Sequence, residues 1–132
     1  MKRDIISGSD VPNSDLPFSP GLRVGSWLFV SGQASVDNQG KIVNGSFAEE
    51  MVRSFENVRR ILSAAGMCFA DVVQVRSYIG RQEDLAEYNR IYRTFFSTPY
   101  PARSTLIGCL GDLLKFEVDV TAFRDPVSEG IK

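Results

Sequence analysis

The sequence predicts an α+β fold: one mixed β-sheet with two helices packed on one face. Two stretches carry apolar residues at three- and four-residue intervals, the mark of a helix with one buried side. Shorter runs alternate apolar and polar residues, as half-buried strands do. The elements follow in the order strand, strand pair, helix, strand, helix, strand, strand. The 132 residues suit a single domain, 1–132, with enough material for a real core.

Residues 2–7 are short and mixed, and fit an edge strand. Residues 8–21 are rich in Ser, Gly, Asp, Asn and Pro, which predicts an irregular loop. Phe18 lies there between Pro17 and Pro20, an aromatic on a stiffened loop that either plugs the core edge or walls a pocket. Leu22 to Gly32 reads as a hairpin turning at Gly25-Ser26. Alternation puts Trp27, Phe29 and Ser31 on one face, Leu28 and Val30 on the other. Asp37-Asn38-Gln39-Gly40 makes a turn, followed by a short strand at Lys41-Ile42-Val43.

Ser46-Phe47-Ala48-Glu49 has the spacing of a capping box and opens the first helix. Phe47, Met51, Phe55, Val58, Leu62 and Ala65 form its apolar stripe, widened by Val52 and Ile61. Gly66 suits the position just past its end. Asp71 to Gly80 is the next strand, with Val73, Val75 and Ile79 alternating against Gln74, Arg76 and Tyr78. A second helix runs from Glu83 to Ser97 and stops before Pro99. Leu85, Tyr88, Tyr92 and Phe95 mark its buried face. Asn89 lies on that face too, and a buried amide needs a partner. A loop backbone is the ordinary one; a site or a subunit contact is the sharper alternative.

Ala102 to Gly108 forms a strand with Arg103, Thr105 and Ile107 on one side. Leu110-Gly111-Asp112 turns the chain. Leu114 to Phe123 is the last strand, with Phe116, Val118, Val120 and Ala122 facing one way and Glu117, Asp119 and Thr121 the other. The tail from Arg124 is polar and expected to be loose. Two helices cover one sheet face only, so apolar residues on the other face point to oligomerisation.

Net charge is −1, and the charges are spread along the chain rather than gathered in a basic stripe, which argues against a nucleic-acid partner. No apolar run approaches a membrane span, and the first residues lack the apolar core of a secretion signal, so a cytoplasmic protein is expected. The chain contains no histidine, which excludes Ser-His and Cys-His nucleophilic pairs and histidine-ligated zinc. Cys68 and Cys109 have no metal-site spacing and read as small buried residues or spare thiols. Two groups with chemical promise remain. Arg103 offers a planar fork that grips a carboxylate. Glu117, fourteen residues on, can hold a water or move a proton. Consecutive strands usually pair, which would bring the two together. Taken alone, such a pair is more often a structural ion pair than a catalytic one.

Five segments in order resemble one family: Val30-Ser31-Gly32-Gln33, Ala64-Ala65-Gly66, Tyr88-Asn89, Tyr100-Pro101-Ala102-Arg103-Ser104-Thr105 and Phe116-Glu117-Val118-Asp119-Val120-Thr121-Ala122. The chain is similar over nearly its whole length to the reactive-intermediate deaminases, also called the YjgF or perchloric-acid-soluble-protein family. The resemblance implies a chorismate-mutase-like α+β fold and a homotrimer with sites in the clefts between subunits. It implies hydrolysis of enamines and imines such as 2-aminoacrylate to 2-oxo acids and ammonia, without a cofactor or metal. Arg103 matches the family's carboxylate-binding arginine and Glu117 the glutamate that holds the attacking water. Thr105 stands where many members have cysteine, at a position whose backbone carbonyl helps to place that water. Ser31 and Gly32 match pocket-lining positions, and Asn89 an asparagine near the subunit interface. Phe18 replaces a common pocket tyrosine, so a hydroxyl is lost; Gly111 replaces a common proline. The same resemblance accommodates a deaminase of another unsaturated amino acid, of the aminomuconate type, or a non-catalytic trimer that binds small carboxylates or a protein partner. Members called ribonucleases find little support in a chain without histidine or a basic stripe.

Overall fold

The computed structural model describes residues 2–125. Six strands form one sheet: β1 (Asp4–Ile6), β2 (Gly21–Val24), β3 (Trp27–Ala34), β4 (Val72–Ile79), β5 (Ala102–Ile107) and β6 (Phe116–Phe123). Their spatial order is β1-β2-β3-β6-β4-β5. Every neighbouring pair is antiparallel except β4 and β5, which are parallel. Two helices, α1 (Phe47–Ala64) and α2 (Leu85–Phe95), lie on one face, with α1 against β3 and β6 and α2 against α1. This is the expected α+β, chorismate-mutase-like fold. The tail residues beyond 125 lie outside the described residues.

The expected order of the last strands fails. The last two strands do not pair: β6 inserts between β3 and β4, and β5 takes the edge beside β4. The chain from β4 through α2 to β5 is a crossover, and crossovers join parallel strands.

Local chemistry sets the helix ends. Ser46 Oγ accepts from the Glu49 amide at 3.2 Å while the Glu49 carboxylate accepts from the Ser46 amide at 2.8 Å, which is the expected capping box. At the other end Gly66 has φ +75°, its amide bonds to Ser63 O, and the Met67 amide bonds to Leu62 O. That pair of bonds is the Schellman motif. The second helix begins later than expected, after a 3-10 turn at Gln82–Asp84, and ends at Phe95.

The core lies between the sheet and the helices. Met51, Phe55, Val58, Ile61 and Leu62 of α1 are fully buried, and so are Val75 and Ile79 of β4 and Phe116, Val118 and Ala122 of β6. Each of these side chains larger than alanine contributes about 1.5–3 kcal/mol of burial. The Phe55 ring touches Phe69, Tyr92, Phe95, Phe96 and Phe116, so one aromatic ties both helices to β6. Val52, expected to widen the stripe, points outward instead. Both cysteines are exposed free thiols rather than buried residues.

Two register shifts change which residues face the core. On β3 the shift falls between Val30 and Gln33, so Gln33 is buried and Gly32 is not. On β4 it falls between Val72 and Gln74, so Val72 is buried and Val73 turns to the open face. A one-residue slip reverses the side-chain pattern, and neither shift was anticipated. The expected strand at Lys41–Val43 reduces to a single bridge, Val36 to Ile42.

Asn57 and Glu50 are buried polar residues of α1. Asn57 Nδ2 donates to Ala34 O and to Val36 O, both at 3.1 Å, which fixes the end of β3. Glu50 accepts from the Gly45 and Lys115 amides and from Lys115 Nζ at 3.2 Å, and so ties the loop before β6 to the start of α1. The face opposite the helices carries Trp27, Phe29, Val73, Leu106 and Phe123, each more than two-fifths exposed. No helix of the described residues is long and apolar enough to cross a membrane.

Candidate active site

Arg103 sits on the edge strand, with Val75 of β4 as its register partner. Partners in register project to the same side, and Val75 is buried under the helices. The arginine therefore rises beside α2. Its guanidinium carbon lies 5.1 Å from the Tyr88 ring centre and 4.7 Å from that of Tyr92. Nη2 donates to Asn89 Oδ1 at 2.7 Å. Among the described residues it forms no ion pair, so part of its fork stays available. Asn89 thus bonds a candidate site residue, not a loop backbone.

Thr105 follows on the same side, with Ser77 as its register partner. Thr105 Oγ1 bonds to Tyr88 Oη at 3.3 Å, and Tyr88 Oη to Ser77 Oγ at 2.8 Å. This chain anchors β5 to α2 and leaves the outer edge of β5 unpaired within the subunit. A cavity of 240 Å³ opens here, lined by Asn89, Tyr92, Arg93, Tyr100, Pro101 and Arg103. Burial pushes the Tyr92 phenol up to about 12.

Glu117 belongs to the other face. Its register partners are Ala34 on β3 and Tyr78 on β4, and it sits beside Asp119. Burial, and then the negative charge of Asp119, push its carboxyl above the ordinary range. Glu117 accepts no hydrogen bond among the described residues. Asp119 differs: it accepts from Arg76 Nε and from Tyr78 Oη, both at 2.8 Å. One carboxylate is consumed by structure and the other is left unengaged.

Gly32 packs directly on Glu117. A Cβ at residue 32 would lie 2.5 Å from Glu117 Oε2, so only glycine lets the β3 backbone approach so closely. Gly32 also lines a 170 Å³ cavity with Phe18, Pro20 and Gln33. Phe18 is half exposed there, so it walls a pocket. Ser31 has the plainer role: Oγ donates to Ser19 O at 2.5 Å and its amide bonds to Pro20 O at 2.9 Å, pinning the Phe18 loop to β3.

The candidate residues thus form two groups in one subunit. Arg103, Asn89 and Thr105 stand by α2 at the sheet edge; Glu117, Gly32, Phe18 and Ser31 stand around the open face and the loop beside it. Arg103 and Glu117 are separated by β4 and by three residues along it. Their Cα atoms are on the order of 14 Å apart. The expectation that strand pairing joins them is overturned. Sequence reasoning also missed Tyr92, Arg93 and Tyr100 as cavity walls. The available signal was helical spacing, since Tyr92 and Arg93 follow Asn89 by three and four residues.

Comparison with known proteins gives concordant results. The family model described as Endoribonuclease L-PSP matches residues 9–124. A RutC family protein of Pyrococcus abyssi is 32% identical over 127 residues, 95% of this chain and 100% of that one. The human 2-iminobutanoate/2-iminopropanoate deaminase is 30% identical over 128 residues, 96% of this chain and 93% of that one. The crystal structure of E. coli TdcF with bound serine aligns with a TM-score of 0.82 at 31% identity, covering 92% of this chain and 98% of that one.

Proposed function

The chain belongs to the Endoribonuclease L-PSP (YjgF/RutC/Rid) family, and from that premise we propose that it hydrolyses reactive imines and enamines of the 2-aminoacrylate type to 2-oxo acids and ammonia. The observation that carries this reading is the pair of unengaged charges: Arg103 held by Asn89 with its fork unfilled, and Glu117 raised in pKa beside Gly32. Relatives named as 2-iminobutanoate/2-iminopropanoate deaminases at about 30% identity support Rid-type chemistry.

In this reading the active assembly is a homotrimer. Copies of the chain cover the open face and its exposed Trp27, Phe29 and Phe123. A head-to-tail ring sets the Arg103 group of one subunit against the Glu117 group of the next, and three such contacts close the ring. Each site then draws on two chains.

Arg103 takes the substrate carboxylate on its fork. Phe18, Ser31, Gly32 and Asn89 shape the space around it. Glu117 holds a water, aided by the Thr105 carbonyl on the edge strand. As the water oxygen bonds to C2, Glu117 accepts the water proton and the C=N electrons move to nitrogen. Glu117 returns that proton to nitrogen, then takes the hydroxyl proton as C=O forms and passes it to nitrogen too, so that the C–N bond breaks with ammonia as the leaving group. The sum is imine plus water giving 2-oxo acid plus ammonia. An enamine enters after a proton reaches C3 and another leaves nitrogen, which makes it an imine. No cofactor is called for. Phe18 supplies ring packing without a hydroxyl, which bears on substrate choice rather than on the reaction.

The test is ammonia and 2-oxo acid release from 2-iminobutanoate generated in place by an amino-acid oxidase. Acceleration over the spontaneous rate is expected. A rate equal to the blank, from protein that sediments as a trimer, would leave only the carboxylate-binding reading.

A further inference from the structure

The Arg103 cavity holds more positive charge than a single carboxylate requires. Its six lining residues include two arginines, Arg93 and Arg103, and no acid. The arginines of β4, of α2 before Arg93 and of the link between them are paired: Arg90 with Glu87, Arg76 with Asp119 and Arg81 with Asp84. Arg93 has no carboxylate partner among the described residues. Its recorded bond runs from Nη1 to the backbone oxygen of Asn89 at 3.3 Å. Asn89 therefore holds both guanidiniums, Arg103 through its side-chain oxygen and Arg93 through its main chain. That leaves Nε and Nη2 of Arg93 without a partner among the described residues. Two like charges in one cavity repel, and an anion that meets both removes the penalty. The net charge of the whole chain is −1, so this local excess is a feature of the cavity.

A third donor adds to the pattern. Tyr92 is 3% exposed, and its hydroxyl has no hydrogen-bond partner among the described residues. Buried hydroxyls are normally satisfied, and an exception calls for an explanation. Its phenol stays protonated at neutral pH, because burial pushes it up to about 12. Tyr92 also lines the cavity, so an unsatisfied donor belongs to a residue of its wall.

We propose that this cavity takes a dicarboxylate, a 2-imino diacid and its 2-oxo diacid product, with Arg103 on the carboxylate beside the reacting carbon and Arg93 on the distal one. The imine rests on the deaminase reading; the diacid rests on the cavity itself. Tyr92 and Tyr100 wall the carbon chain between the two charges.

Calorimetric titration of the assembled protein at low salt, with 2-oxoglutarate and with 2-oxobutanoate, tests the ligand class. The diacid is expected to bind about tenfold tighter or more, since a charged hydrogen bond of this kind is worth about that factor. Arg93→Ala should collapse the affinity ratio toward one, and Arg93→Lys should keep part of it, because a point charge remains without the fork. Equal affinities in the parent protein, or a ratio that survives Arg93→Ala, would overturn the proposal. Ammonia release from 2-iminoglutarate and 2-iminobutanoate is measured alongside. Turnover of neither, with the diacid preference intact, sinks the deaminase reading and upholds the diacid site.

Discussion

Arg103 and Glu117 lie on opposite faces of one sheet, with β4 between their strands. In the proposed trimer each group of candidate residues is completed by the other group on a second chain. This predicts complementation. Arg103→Ala and Glu117→Gln proteins should each be nearly inactive, and co-refolding them should restore turnover. In a head-to-tail ring, any mixed trimer has one cleft formed by two unaltered halves, so about a third of its sites recover. Activity that stays at the level of the separate variants after verified mixing would place the site inside one subunit.

Glu117 should trade stability for reactivity. Its folded pKa is raised, first by burial and then by Asp119. The folded state therefore binds more protons than the unfolded one between the ordinary carboxylate value and the raised one, and stability falls as pH rises through that window. Glutamine imitates the protonated form. Glu117→Gln should slow turnover strongly, leave 2-oxo acid binding on Arg103 nearly intact and raise the melting temperature at neutral pH. The thermal gain should fade below about pH 4. A Gln variant that melts lower than the parent at pH 7 contradicts this account, and so does a dead Asp119→Asn beside an active Glu117→Gln.

Gly32→Ala separates packing from position. The new methyl meets the end of the Glu117 side chain, not backbone, so the carboxylate swings away at small cost to the fold. Turnover should fall by about tenfold or more while stability changes by less than ~1 kcal/mol. Unfolding curves and initial rates on one preparation decide it. A large stability loss with normal activity in the surviving protein would show that Gly32 serves the fold instead.

Asn57→Ala should be costly. It strands the part-buried carbonyl of Val36, leaves that of Ala34 with the Val36 amide as its donor, and removes the acceptor of Arg60. About 1–3 kcal/mol of stability should go, measured by urea unfolding. Because those carbonyls fix the end of β3, an effect on turnover in the folded fraction is expected as well. A loss below ~1 kcal/mol would mean that water replaces the amide.

Phe18→Tyr should fold like the parent and shift relative rates among imines. The ring already stands at the mouth of the cavity it shares with Gly32, where an added hydroxyl can reach water or ligand. Rates on two or more imines that keep their parent ratio would remove Phe18 from the pocket wall.

Much of the fold was legible because local chemistry and tertiary packing agree. The capping box at Ser46 and Glu49 forms as written, and the alternation from Phe116 to Ala122 matches the buried side of β6. Val73 was misplaced because a register shift does not show in residue pattern. Neighbour order was misread for a different reason. Sequential adjacency favours a hairpin for the last two strands, while the helix between β4 and β5 demands a parallel crossover, and the crossover won. The site suffered most from that error. Residue types identified Arg103 and Glu117 as chemically able, but their relation depends on sheet order and, in the proposed trimer, on contacts made by another chain.

The central place of β6 also governs how the protein is made. Residues 116–123 join β3 and β4, which are otherwise strangers in the sheet. Until that segment leaves the ribosome, both strands have an open edge, and Phe55 lacks the Phe116 ring beneath it. Long-range pairing of this kind is slow, and unpaired edges invite association with other chains. A nascent chain halted before residue 116 is therefore a candidate for chaperone binding rather than a stable partial fold.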